Sequence, residues 1–325
     1  MRRVIPTAAI PRTISARRAR AALLARAFAA ATLLAATLAA TLAPAARSAE
    51  PAAAAQPDSS GWKNSLVAGL TFSQSAFSNW AAGGTSSAAW AWSLRGTFEQ
   101  VEPGFTWRHK GQLEYGLLKQ EGQDLRKSVD LIELETLYTR KLDFFVNPYG
   151  SASLKTQFTT GRDFKVEPGS NGAFPATSDF ADPLYLAQSA GAGRTLLPGQ
   201  LSTRLGFTVR ETLTDVFRNF AAEASVDSCT GNPDCERTKV ETGLESVTEL
   251  GRKLGETTSL SSKLGLFYSF EQPDELDVSW RSDLTIKALK ILSVNFGLEL
   301  LFDEDVVDKL QTKQALGIGV SYNLL

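Results

Sequence analysis

The sequence has little of what most enzymes and helical membrane proteins need. It contains one histidine, two cysteines, one methionine and, after Gly61, no long uninterrupted apolar run. A helix needs about 20 apolar residues to cross a bilayer, so a spanning chain without such a run has to be a closed β-barrel. Lys and Arg total 34 against 35 for Asp and Glu, which gives a net charge of −1. Nucleic-acid binding depends on a basic surface, and we exclude it.

The N-terminal segment has the composition of an export signal. Arginines precede an apolar run over residues 27–43, and small, Ala-rich residues follow it. This run is marginal in length for a spanning helix, and the polar, Pro-containing stretch after it suits cleavage and a tether. We therefore predict a Sec-type signal peptide over residues 1–49, a polar tether over 50–61, and one domain over 62–325.

Alternation of apolar with small or polar residues is the strongest positive signal. Residues 292–300 (LSVNFGLEL) change character at every position, which predicts a strand with one apolar and one polar face. The same pattern returns throughout the domain. Because the chain is exported, we expect the apolar face to meet lipid. The prediction is an all-β fold, a closed antiparallel up-and-down transmembrane β-barrel in the bacterial outer membrane.

Turn-forming residues divide the domain into about twelve such segments, with ten or fourteen as alternatives. The separators are short and long in succession, as expected for tight periplasmic turns and longer external loops. An even count leaves both ends in the periplasm. The predicted strands are residues 62–77, 85–101, 105–119, 129–142, 144–160, 183–197, 200–213, 239–254, 257–271, 277–289, 291–302 and 311–324.

The alternation predicts which side chains point into the lumen and which point outward, because side chains two positions apart on a strand share a face. If Trp107 and Tyr115 point outward, then Arg108 and Lys110 point into the lumen. A charge on the lipid face costs roughly 2–4 kcal/mol at the bilayer midplane. The predicted lumen charges are Arg95, Glu99, Arg108, Lys110, Glu114, Glu133, Glu135, Arg204, Arg210, Glu241, Glu245, Glu249, Arg281, Asp283, Lys287 and Glu299.

These lumen charges allow two interpretations. One is a salt-bridge network that fills a small barrel, and the other is the lining of a water-filled pore. We favour the filled interior. The mixed signs argue against a strongly ion-selective filter, which would show an excess of one charge.

The two cysteines, Cys229 and Cys235, flank a turn-forming Thr-Gly-Asn-Pro-Asp sequence. This arrangement predicts a disulfide across an exposed loop. No neighbouring Cys or His completes a tetrahedral metal site. We expect neither a metal nor a cofactor.

The C-terminal residues alternate in the same way. Leu316, Ile318, Val320, Tyr322 and Leu324 share one face, and this pattern resembles the terminal-strand signal by which the barrel-assembly machinery recognises its clients. The chain departs from that signal in ending with Leu325. The resemblance implies the assembly machinery as a partner, beside outer-membrane lipid, and we expect a monomer.

A short motif near the start of the domain suggests a family. The sequence Phe77-Ser78-Asn79-Trp80-Ala81-Ala82-Gly83-Gly84 resembles the F-S-N-W-x-x-G-G signature of an uncharacterised family of bacterial outer-membrane β-barrels, a domain of unknown function. The resemblance implies a fold and a membrane, and no established activity. Gly83 and Gly84 permit positive φ at a strand junction, and Asn79 can bond its own backbone. Trp80 can anchor at the interface or fold into the lumen as part of a plug.

Hydrolysis needs a nucleophile, a base and an orienting group within mutual reach. The single histidine, His109, has no serine two positions on, because Gly111 stands there. The groups Glu133/Glu135 and Glu241/Glu245/Glu249 each share a face, but carboxylates that lie opposite Arg and Lys are more often structural. We predict no enzyme. The expected function is a filled or narrow barrel acting as a structural or surface module or as a passive small-solute channel. The alternatives are a lipid- or glycan-handling enzyme and a soluble periplasmic β-sandwich that binds small molecules.

Overall fold

Twelve long antiparallel strands close into one barrel, and two short strands form a separate small sheet. The computed structural model describes residues 61–78, 84–142, 144–170, 172–217, 220, 235–273, 275–289, 291–303 and 307–325, so the predicted signal peptide lies outside it. The strands are β1 (Gly61–Ser75), β2 (Ser87–Val101), β3 (Phe105–Gln120), β4 (Arg126–Arg140), β5 (Asn147–Thr156), β6 (Gly161–Arg162), β7 (Ala176–Ser178), β8 (Leu184–Leu197), β9 (Leu201–Leu213), β10 (Thr238–Lys253), β11 (Thr258–Ser269), β12 (Leu276–Lys287), β13 (Leu292–Asp303) and β14 (Val307–Asn323).

The order around the barrel is β1-β14-β13-β12-β11-β10-β9-β8-β5-β4-β3-β2. Neighbours in sequence are neighbours in space, except that β6 and β7 lie outside the ring. The barrel closes where β1 pairs with β14, from Val67 opposite Asn323 to Phe72 opposite Ile318. The predicted closed antiparallel barrel of about twelve strands is confirmed. The alternative of a two-sheet β-sandwich is wrong, because the strands form one closed ring.

The longest connections follow β1, β5 and β9, all at one end of the barrel, but the predicted succession of short and long connections is not strict. Six residues lie between β4 and β5, and three lie between β13 and β14. Short connections follow β2, β4, β8, β10 and β12, and both chain ends of the barrel lie beside them. The tightest turns are closed by backbone bonds, such as that from Glu102 N to Phe105 O, 2.9 Å. We call this the short-turn end. In bacterial outer-membrane barrels the short turns lie on the periplasmic side.

Several elements differ from the sequence prediction, and β4 begins at Arg126, three residues before its predicted start at 129. β5 was expected over residues 144–160 but spans Asn147–Thr156. It stops because the Asp130 carboxylate accepts hydrogen bonds from Phe158 N at 2.7 Å and Thr159 N at 3.0 Å, which turns the chain back towards β4. The expected loop over residues 161–182 contains the β6–β7 sheet. β14 begins at Val307, four residues before the predicted start at 311.

The outer wall is apolar because apolar residues alternate with polar ones along the strands. Leu205, Leu316 and Ile318 are 58%, 68% and 58% exposed, and the inward charges Arg204 and Arg210 on β9 and Lys313 on β14 have the opposite parity. A continuous exposed apolar surface of this kind marks contact with an apolar phase or partner. None of the described residues belongs to a helix long and apolar enough to cross a membrane.

Candidate functional site: the barrel interior

Ion pairs bridge opposite walls of the barrel. Arg108 and Lys110 lie on β3, whereas Glu249 lies on β10, and β9, β8, β5 and β4 separate these strands on the shorter path around the ring. Nevertheless Lys110 Nζ lies 2.8 Å and Arg108 Nη2 3.2 Å from Glu249 Oε2. Side chains of strands that do not touch can meet only through the interior. The side chains of Arg108, Lys110 and Glu249 therefore cross the lumen at this level.

A second carboxylate repeats the arrangement. Glu135 on β4 accepts a hydrogen bond from Lys263 Nζ on β11 at 3.1 Å and another from Arg204 on β9. Arg204 Nη1 also lies 3.9 Å from Glu249 Oε1, which joins the two groups. Side-chain exposure is 7% for Glu135 and 14% for Glu249. We call Arg108, Lys110, Glu135, Arg204, Glu249 and Lys263 the cross-lumen cluster.

Two smaller groups lie nearer the long-loop end. Glu114 on β3 pairs with Arg95 on the adjacent β2 and with Arg281 on β12, whose Nη2 lies 3.5 Å away. Arg210 on β9 pairs with Glu245 at 3.5 Å and with Asp277 at 2.8 Å. Each group again joins strands that are not neighbours. Opposite charges thus occupy the interior at several depths.

Aromatic side chains fill the interior beside these charges. Phe267 is 1% exposed, and the Arg210 guanidinium lies over its ring at 3.6 Å. A Cβ added at Gly243 would collide with the Tyr268 carbonyl oxygen and lie 2.8 Å from the Phe267 ring. The Tyr149 hydroxyl covers Gly206 in the same way. Glycines on the inner face therefore provide the space that the rings occupy.

The wall formed by β1, β13 and β14 has a different lining. Apart from Lys63, its inward residues are small or uncharged in the part nearest the short-turn end. There Ser293 is 2% exposed, and the Asn295 amide donates to Ser293 Oγ at 3.1 Å. Further along β14, Ala315 faces inward opposite Gly297 and is exposed to solvent. Space for water therefore remains along this wall, while the opposite walls are linked by charges.

The other predicted lumen charges have lesser contacts. Glu133 lies 3.9 Å from Lys263, Glu299 3.9 Å from Lys313, Asp283 3.3 Å from Arg281 and Glu241 3.0 Å from Lys239. In the described part of the chain, Glu99 and Lys287 form no ion pair; both lie near the short-turn end of their strands.

Lys263, Asp277 and Phe267 are not among the lumen residues predicted from the sequence. Lys263 was detectable, because it shares parity with Ser259, Ser261 and Gly265, the small residues of β11. The pairing of Lys263 with Glu135 was not detectable, since the two residues are distant in sequence and their strands, β11 and β4, are not neighbours. Phe267 breaks the alternation rule: it is an apolar side chain on the charged face.

The residues of the predicted motif and disulfide are only partly described. Asn79, Trp80, Gly83 and Cys229 lie outside the described residues. Gly84 has φ +148°, and a Cβ there would lie 2.8 Å from the Phe77 ring. Ser78 lies in the same connection between β1 and β2. Cys235 is disulfide-bonded.

The single histidine lies apart from the lumen charges. His109 lies on the outer face, with its ring 4.9 Å from that of Trp107. Over the residues that the structure describes, no three His, Cys, Asp or Glu side chains come together as a metal site would require.

A closed antiparallel barrel with an apolar exterior and charged interior defines the class of transmembrane β-barrels. Residues 72–161 match the family described as "Protein of unknown function (DUF3078)". This match confirms the resemblance to a domain of unknown function; it does not test the motif itself. No curated protein matches the chain.

Solved structures with a similar strand arrangement are outer-membrane barrels. The translocator domain of the autotransporter NalP from Neisseria meningitidis is 10% identical, with 82% of this chain and 89% of that chain covered and a TM-score of 0.39. The COG4313 outer membrane channel from Pseudomonas putida F1 is 12% identical, with 85% and 99% covered and a TM-score of 0.38. The β domain of the Bordetella autotransporter BrkA is 14% identical, with 80% and 98% covered and a TM-score of 0.33.

Proposed function

We propose that the protein is a bacterial outer-membrane β-barrel whose interior is closed to bulk solute, so that it serves as a membrane-embedded structural or surface module and not as an open pore or an enzyme. The observation that carries this proposal is the cross-lumen cluster. Two buried carboxylates hold four cations from three strands, and these contacts connect opposite walls. The apolar outer wall supports the membrane location.

The cluster is suited to closure because its two carboxylates are shared among four cations. Each carboxylate accepts from more than one cation, and charge-assisted hydrogen bonds are about twice as strong as neutral ones. An ion entering the lumen would have to displace these partners. The two carboxylates compensate half of the charge of the four cations, and Glu114, Glu245 and Asp277 add negative charge at other depths. The lumen as a whole therefore lacks the single-signed lining that a selective filter needs.

Single-channel recording in planar lipid bilayers tests this proposal. We expect the wild-type barrel to give no porin-like current. The double variant Glu135→Gln/Glu249→Gln removes the shared acceptors but keeps side-chain size, and we expect it to open a measurable conductance. The matched control is Glu299→Gln, outside the cluster. Heat-modifiable migration on a gel verifies that each variant forms a barrel. A large wild-type current would overturn the proposal.

A second candidate is a narrow passive channel for small solutes, and the lining of β14 favours it. Ala315 is exposed on the inward face, and the facing side chains of Glu299 and Lys313 are 42% and 54% exposed. A channel along this wall would give a small wild-type current that survives Glu135→Gln/Glu249→Gln. Ala315→Trp would block that current, whereas Ala152→Trp on the outer face would not.

A further inference from the structure

The outer wall near the short-turn end carries a groove of about 540 Å³. This volume lies within the range of sites that hold small organic groups. The groove crosses β3, β4 and β5, on the side of the barrel that faces away from the lumen. It is lined by Trp107, Thr136, Tyr138, Gly150, Ser151 and Ala152.

Fixed aromatic side chains form one wall of the groove, and its floor is bare. The Trp107 indole Nε1 donates to Thr136 Oγ1 at 2.9 Å, and the Tyr138 ring stacks on Phe105 with centroids 5.5 Å apart. A Cβ added at Gly150 would meet no atom within 4 Å, and Ala152 is exposed. The shape is therefore set by anchored rings beside open space, and a linear apolar chain fits it.

Two arginines lie at the short-turn end of this groove. Arg140 is the next outward residue after Tyr138 on β4, about 7 Å further along the strand. Arg194 is outward on β8, and its guanidinium stacks at 3.9 Å on the Phe145 ring. Only β5 separates β4 from β8, which places the two strands about 10 Å apart. Both arginines are exposed, and within the described residues neither forms an ion pair.

The neighbouring connection marks the level of a membrane interface. Phe144 and Phe145, between β4 and β5, are 74% and 67% exposed, as is typical of rings that anchor at headgroup depth. If the barrel spans the outer membrane as we propose, this end lies in the periplasmic leaflet. The arginines then sit at the depth of lipid phosphates, with the groove directed towards the acyl chains.

We infer that this groove binds an anionic glycerophospholipid of the periplasmic leaflet, with an acyl chain along Trp107 and Tyr138 and the phosphate between Arg140 and Arg194. The inference rests on the proposed membrane location. Guanidinium groups pair well with phosphate oxygens. Two cations without a carboxylate partner favour an anionic headgroup, because the ammonium of a zwitterionic lipid would oppose them.

Native mass spectrometry of the folded barrel tests this inference, with phosphatidylglycerol or phosphatidylethanolamine added to the micelles. We expect about tenfold greater retention of phosphatidylglycerol, because hydrogen bonds between charged groups supply that much discrimination. The double variant Arg140→Gln/Arg194→Gln should lose this preference. Gly150→Leu should fill the groove and lower retention of both lipids.

Arg252→Gln is the matched control. Arg252 shares the outward parity of Leu244 and Leu250 at the short-turn end of β10, and β10 does not border the groove. Phosphatidylglycerol retention should be unchanged in this variant. An equal loss in Arg252→Gln would overturn the inference, as would wild-type retention in the double variant.

Two further outcomes separate the sources of failure. A dimer peak in place of a lipid adduct would identify the groove as an interface between copies and overturn the lipid assignment. A heat-modifiable barrel without lipid preference would overturn this inference alone. A chain that does not form a heat-modifiable barrel in detergent would overturn the proposed membrane function as well.

Discussion

Lys263 Nζ lies 3.1 Å from Glu135 Oε2, although β11 and β4 stand on opposite walls of the barrel. Glu135 also accepts from Arg204, and its side chain is 7% exposed. Removing one partner of a buried ion pair leaves the other charge without compensation. These two residues therefore couple barrel stability to the closure of the lumen.

Glu135→Gln should destabilise the barrel by about 3 kcal/mol, because Lys263 and Arg204 lose their shared carboxylate. Urea unfolding in lipid vesicles measures this change. Glu299→Gln is the control, since its partner Lys313 is 3.9 Å away and both side chains are about half exposed. An exposed pair contributes at most about 1 kcal/mol. Equal losses in the two variants would show that the cluster does not hold the walls together.

The sequence predicted the wall of this barrel better than its interior. Strand positions and facing follow from a period of two and from turn residues such as Pro103 and Gly104, which act locally. The partner of Glu135 depends on which strands face each other across the ring, and local sequence does not contain that information. The position of Phe267 depends likewise on the space above Gly243. The β6–β7 sheet was missed because its strands have two and three residues, too few for a periodic signal.

The connection between β1 and β2 depends on a close approach of Phe77 to Gly84. Gly84 has φ +148°, and a Cβ would lie 2.8 Å from the Phe77 ring. Gly84→Ala should therefore lower the free energy of unfolding by roughly 1–3 kcal/mol. Gly104→Ala is the control, because nothing lies within 4 Å of its Cβ position and its φ is not positive. Phe77→Leu combined with Gly84→Ala should recover part of the loss; no recovery would indicate that backbone strain alone is responsible.

Glu271, in the β11–β12 connection, has a lowered carboxyl pKa and accepts hydrogen bonds from Thr242 on β10. Hydrogen bonds from Thr242, above all from its Oγ1 at 2.7 Å, lower the pKa of Glu271 from 4.5 to about 2. A depressed carboxyl pKa stabilises the folded connection above pH 4.5, and this contribution is lost as the pH falls towards 2. NMR titration of the Glu271 carboxyl carbon should show a midpoint near that lower value.

Two variants test the cause of the Glu271 shift. Thr242→Val removes the strongest donor and should raise the pKa towards 4.5, whereas Ser269→Ala, which removes a weaker donor at 3.0 Å, should raise it less. The reverse order, or an unshifted midpoint in Thr242→Val, would contradict the assignment of Thr242 as the main cause.

Two glycines of β10 allow the packing of the interior to be tested within one strand. Gly243 lies under the Phe267 ring, and an added methyl group would collide with the Tyr268 carbonyl oxygen; Gly251 has no atom within 4 Å of its Cβ position. Overpacking costs typically 1–3 kcal/mol, so Gly243→Ala should lower the unfolding free energy by about that amount. Gly251→Ala should change it by at most about 0.5 kcal/mol. Urea unfolding in vesicles measures the unfolding free energy of both variants. If the barrel tolerates Gly243→Ala as readily as Gly251→Ala, its interior is loose enough to rearrange around Phe267. Such a loose interior would contradict the closed-lumen proposal.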